Sequence, residues 1–141
     1  MTTQATAHLS QPSASTTLLQ RALQGNGIFS LLSGLTFILA ANPLATFLGG
    51  VSPTILMAVG VGLLIYAADL FFVARQNPIK SLYVQLFIAA DVIWVLGSAL
   101  LLMTNWVAFT NAGWWAVAIV ADIVAVFAIL QYVGLKRSSR S

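Results

Sequence analysis

Four apolar runs, each close to the length of a bilayer crossing, constrain this chain more than any other feature. They cover roughly residues 19–41, 54–75, 79–103 and 112–134, with bodies such as "GIFSLLSGLTFILAA" and "TILMAVGVGLLIYAADLFFVAR". A helix needs about 20 apolar residues to cross the hydrocarbon core, whereas a membrane strand needs only about 9–11 and alternates in polarity. In lipid every backbone group must find its partner within the segment, so each run is predicted to be a helix. Charge agrees: 6% of residues are charged and 60% are apolar, against about 25% charged in a typical soluble domain. So few charges cannot clothe a soluble surface. The expected fold is therefore all-α, a polytopic membrane protein built as an antiparallel bundle of four transmembrane helices.

The six basic residues fall in a pattern. Arg21 precedes the first apolar body, Arg75 and Lys80 flank the second connection, and Lys136, Arg137 and Arg140 follow the last run. The connections 42–53 and 104–111 carry no charge. The excess of Lys and Arg on one side predicts both termini in the cytoplasm, N-in/C-in, with the chain a multi-pass protein of a bacterial cell's inner (plasma) membrane. The expected division is a disordered cytoplasmic tail over 1–18, a transmembrane domain over 19–135 and a basic tail over 136–141. The polar opening segment contains too little apolar surface to fold, and His8 stands alone in it. A signal peptide cleaved near Ala41 is a competing reading, but it would need an unusually long leading region before Arg21.

Local punctuation refines the boundaries. Ser52-Pro53 and Asn77-Pro78 each read as an N-cap followed by proline at the first helical position. The stretch "NPLATFLGG" from Asn42 to Gly50 is either a short interfacial helix or an ordinary loop. Trp106, Phe109, Trp114 and Trp115 gather at one expected interface, and Tyr83 and Tyr132 near the other, as in aromatic belts.

The chemistry lies in the acids. Asp69, Asp91 and Asp122 are the only acidic residues of the chain, and each sits inside an apolar run. A carboxylate at the bilayer centre costs roughly 2.5–3.5 kcal/mol on insertion scales. No basic residue lies at that depth. The acids are thus expected to face the bundle interior, either as neutral carboxylic acids or lining a hydrated cavity with a cation, as buried carboxyls that handle a proton or cation. Asp91 and Asp122 are placed at similar depth as a central pair, with Asp69 nearer the cytoplasm. The phrase Ala-Asp-aliphatic that surrounds all three reads as chance similarity, because the wider contexts do not align.

A polar lining is expected around them from Asn26, Ser30, Ser33, Tyr66, Gln85, Trp94 and Gln131. Asn26, Ser30, Ser33 and Phe37 share one helical face, as do Val84, Phe87, Asp91, Trp94 and Ser98. The Trp94 indole N–H is expected to serve the Asp91 carboxyl one turn away. The stripe Trp115, Ala118, Asp122, Ala125 and Ile129 is expected to be the packing face of the last helix, its small residues suited to close approach.

Several function classes find no residues. There is no cysteine, and the one histidine, His8, lies outside the apolar runs. The usual ligands of haem and transition metals and the Ser–His pairs of hydrolases are missing there. No glycine-rich phosphate loop follows a strand. No catalytic residue, metal or cofactor is expected, no enzyme activity and no nucleic-acid partner. Two readings remain: proton- or cation-linked transport or conduction through the buried carboxyls, or a non-catalytic accessory or scaffold subunit of a larger membrane complex. Both place the chain in a lipid bilayer as a homo-oligomer or with a membrane-protein partner.

Overall fold

The computed structural model describes residues 14–140. Within them the chain is helical with no strand, in five helices: α1 Ala14–Leu39, α2 Ala41–Leu48, α3 Pro53–Ala74, α4 Ser81–Met103 and α5 Asn111–Arg140. Four of these, all but α2, are long and apolar enough to cross a membrane, the character of a multi-pass membrane protein. The tail expected to be disordered lies outside the described residues over 1–13, His8 included.

Both outer helices run further than the apolar patterns suggested. α1 begins at Ala14, not near residue 19. Its buried residues Leu19, Ala22 and Leu23 lie at helical spacing and anchor this end of the helix in the core. α5 continues to Arg140, through most of the basic segment expected to be a tail. Gly134 does not stop it, because this glycine serves packing: a Cβ there would lie 3.0 Å from Leu19 Cα. The Lys and Arg residues that follow suit the negative end of the helix dipole.

The stretch after Ala40 is a helix, α2, closed by Gly49 and Gly50 at φ +74° and +63°. These are left-handed conformations that glycine adopts without penalty. Ser52 caps α3 as expected, accepting from the Thr54 N–H at 3.2 Å, with Pro53 at the first helical position. The expectation for Asn77-Pro78 does not hold. Its peptide bond is cis, and α4 starts at Ser81 after Lys80.

Helix α1 is the spine. α3 packs along one side of it and α5 along another, and α4 packs on α5. The tightest crossing is glycine on glycine. A Cβ on Gly34 would lie 2.8 Å from the Gly60 carbonyl oxygen, and one on Gly60 2.8 Å from that of Gly34. Membrane helices lack a hydrophobic drive to associate and rely on such close packing. By contrast α3 and α4, consecutive in the chain, do not pack backbone to backbone. Side chains bridge them, including a Tyr66–Phe87 edge-to-face ring pair with centroids 5.6 Å apart.

Apolar clusters close both ends. One gathers Leu19, Leu23, Leu70, Val73, Val84 and Phe87. The other packs Ala45, Leu48 and Leu56 with Phe37, Phe109 and Val117. Thr110 staples the second end: its N–H donates to Leu48 O at 2.8 Å, its hydroxyl to Phe47 O, and the hydroxyl accepts from the Gly113 N–H at 2.9 Å. The polar residues occupy the space between the clusters.

Candidate functional site

The stripe read on the third apolar run is the buried face of α4: Val84, Phe87, Asp91 and Ser98 are all inside. Asp91 is 3% exposed and is the one buried acid. Its carboxylate is held from each of the other three long helices. Asn26 Nδ2 of α1 donates to Oδ2 at 2.8 Å, Gln131 Nε2 of α5 donates to Oδ2 at 2.9 Å, and the Tyr66 hydroxyl of α3 donates to Oδ1 at 2.8 Å. Asn26 and Gln131 are themselves 1% and 0% exposed. Every helix that can cross the membrane thus contributes one side chain to a single buried hydrogen-bond hub.

The hub has a defined polarity. Ser30 Oγ donates to Asn26 Oδ1 at 3.4 Å, which keeps the Asn26 amide turned with its N–H₂ toward Asp91. Gln131 is held at one end only, since its Oε1 is buried without a partner. An amide carries both a donor and an acceptor. Turning the Gln131 amide over offers Asp91 an oxygen in place of an N–H₂, so the same site accommodates an ionised or a protonated acid. Tyr66 also approaches the Phe87 carbonyl oxygen at 3.2 Å, so its single hydroxyl proton serves two acceptors.

Beside the hub lies a cavity of about 290 Å³. Asn26, Ser30, Tyr66 and Asp91 form its polar part, and Phe29, Phe37, Leu63, Val120 and Val124 belong to its apolar walls. Ser33 and Trp94 line it as well. The Trp94 indole N–H does not serve Asp91 as expected: it is buried without a partner. Tyr66 is a wall shared with a second cleft between α3 and α4, which contains Asp69, Tyr83 and Phe87.

The other sites named from the sequence lie elsewhere. Asp122 is exposed on the outside of α5, and Asp69 is exposed on α3. Neither is buried, and Asp91 and Asp122 do not face each other. The buried face of α5 runs through Ala121, Val124, Ala128 and Gln131, one residue away from the expected stripe. One residue is about 100° of helix, enough to turn Asp122 out of the bundle. The residue that reaches Asp91 from α5 is Gln131, roughly two and a half turns beyond Asp122. Gln85 is exposed on α4, away from the cavity. Phe29, Val59, Leu63, Val120 and Val124 line the cavity without having been singled out. In an apolar chain nothing distinguishes a cavity-lining Val or Phe from one facing lipid.

Among the described residues no cluster of three His, Asp or Glu side chains gathers for a metal. No protein-family model matches the chain, no curated protein matches it, and no solved structure matches it.

Proposed function

We propose that this is a small integral membrane protein in which Asp91 takes up and releases a proton or a small cation as part of transport or conduction. One observation carries the reading. The single buried acid is held by donors from three helices, with no basic partner among them, and opens on a cavity in the bundle. Ionisable groups inside membrane domains are rare and costly, and they recur along ion and proton paths. The half-held Gln131 amide supports it, because it lets the site serve both protonation states. Asp69, in the cleft behind Tyr66, is the group through which Asp91 exchanges with the aqueous side.

The orientation belongs to the same proposal. Gln20 Nε2 donates to Ala74 O at 3.0 Å, and Gly134 packs on Leu19. These contacts lie beside Arg21, Arg75, Lys136 and Arg137, and basic residues gathered in this way support an antiparallel N-in/C-in arrangement in a plasma membrane. No enzyme chemistry is part of the reading. Its test is reconstitution in liposomes with an interior pH-sensitive dye. Flux that responds to an imposed pH or ion gradient and disappears in Asp91→Asn supports it. Flux unchanged in that variant overturns it.

The accessory-subunit reading has its own support. Asp122 is exposed on the outer face of α5 near mid-span. A carboxyl there favours cover from another helix, either of a second copy or of a partner membrane protein. A mass measurement in nanodiscs that finds wild type larger than Asp122→Leu favours this reading. A monomer in both discounts it.

A further inference from the structure

We infer that the cavity beside Asp91 binds a small organic ammonium ion, a monovalent amine with an apolar body. Its N–H would rest on the Asp91 carboxylate and its body against the aromatic walls. The inference rests on the reading of Asp91 as a cation- or proton-exchanging group and names the class of cation.

The argument begins with charge. The cavity contains one acid and no base among its lining residues, so it favours a single positive charge. Hard inorganic cations take six or more oxygen ligands. Here the oxygens on offer are few, and amide N–H groups already point at the carboxylate that would lead such a shell. A carboxylate has about four acceptor positions, and three hydrogen bonds reach Asp91 from its neighbours. What remains suits one N–H donor, which is what a tertiary ammonium carries.

The walls make the same choice. Phe29, Phe37, Tyr66 and Trp94 all line the cavity. Aromatic faces stabilise a cation within about 6 Å of the ring centroid, and they also bury an apolar body. A fully hydrated metal ion gains little from such walls. The volume, about 290 Å³, lies at the lower end of small-molecule sites. The Trp94 indole N–H, buried and unpartnered, lies one helical turn from Asp91. It is a donor in need of an acceptor, so an amine carrying an ether, hydroxyl or carbonyl oxygen satisfies both ends of the site. Gly62 supplies the remaining room: it lines the cavity, and a Cβ added there meets nothing within 4 Å.

The test is calorimetric titration of the full chain in zwitterionic nanodiscs, with empty nanodiscs as blank. The probe is N,N-dimethyl-2-phenylethylamine hydrochloride, and its neutral counterpart is methyl 2-phenylethyl ether. Wild type is expected to bind the amine saturably, and the ether at least tenfold more weakly. Asp91→Asn is expected to weaken amine binding at least tenfold. Gly62→Phe is expected to do the same by filling the cavity while leaving the carboxylate and its donors in place. Far-UV circular dichroism and size-exclusion chromatography check that both variants stay folded. Equal binding by wild type and Gly62→Phe overturns the inference, as does equal affinity for amine and ether, or full competition by sodium chloride at the amine's own concentration. Absence of amine binding alongside Asp91-dependent proton flux overturns this inference and leaves the Asp91 reading standing. Flux indifferent to Asp91 overturns that reading whatever the amine does.

Discussion

Replacing Asp91 by leucine removes the one acceptor on which three helices converge. Leu keeps the branched four-atom skeleton of the Asp side chain and brings no polar group. Two donors lose their partner outright, Asn26 Nδ2 and Gln131 Nε2, both fully enclosed by protein. The Tyr66 hydroxyl keeps its second acceptor, the Phe87 carbonyl at 3.2 Å. Hydrogen bonds between membrane helices are worth about 0.6 kcal/mol on average and up to about 1.7. Two of them give a destabilisation of about 1–3 kcal/mol for Asp91→Leu. The insertion penalty of the acid does not offset this, since separated helices still in the membrane bear it too. Asp91→Asn behaves differently. Its amide oxygen keeps the bonds from Asn26 and Gln131, and its N–H₂ donates to Tyr66 Oη, whose proton turns to Phe87. Its expected change is under about 0.5 kcal/mol. Leucine at all three hub positions, Asn26, Asp91 and Gln131, removes donors and acceptor together and should recover part of the loss, so the effects should be non-additive. Unfolding in mixed micelles with rising sodium dodecyl sulfate, followed by circular dichroism, measures all four proteins. Asp91→Leu as stable as wild type, or a triple variant no more stable than Asp91→Leu, refutes the hub as the element that gathers the bundle.

Three further outcomes follow from particular contacts. Gly60→Ala should cost about 1–3 kcal/mol in the same assay, since its Cβ would meet Gly34 O and Ile38 Cγ1 at 2.8 Å, whereas Gly62→Ala, two residues on and facing open space, should be close to neutral. Thr110→Val should cost about 1–2 kcal/mol, because it removes the cap on the Gly113 N–H and the tie to Phe47 O; hydrogen exchange should rise first in residues 104–113. Asp122→Asn should leave both liposome flux and monomer stability unchanged, because its side chain is exposed and outside the hub.

The number of long helices could be read from the lengths of the apolar runs, and the buried face of α4 from the stripe Val84, Phe87, Asp91 and Ser98, where a second polar residue falls at helical spacing from the acid. The faces of α3 and α5 could not. On α5, Ala116, Ala118, Ala121, Ala125 and Ala128 lie on several sides, so the pattern carries almost no preferred direction. A stripe centred on Asp122 fits it as well as the true one through Gln131. The polar face of α1, from Asn26 through Ser30 to Ser33, was legible because three polar residues recur at helical spacing, and it does line the cavity. That Asn26, Tyr66 and Gln131 all meet on Asp91 was not, since it depends on the order of the helices around the bundle. Short connections do not determine that order: α3 and α4, joined by 75–80, are the consecutive pair of long helices that part.

The Tyr66 hydroxyl shares one proton between two acceptors on the same helix, a side-chain carboxylate and the backbone carbonyl of Phe87. That makes it a messenger as well as a wall. Whatever occupies the Asp91 acceptor positions decides which way the proton points, and Phe87 feels the answer through its carbonyl. Tyr66 lines both the inner cavity and the Asp69 cleft, and the Phe87 ring packed on it lines the cleft. The occupancy of one compartment is thus written into the hydrogen bonding of a wall it shares with the next.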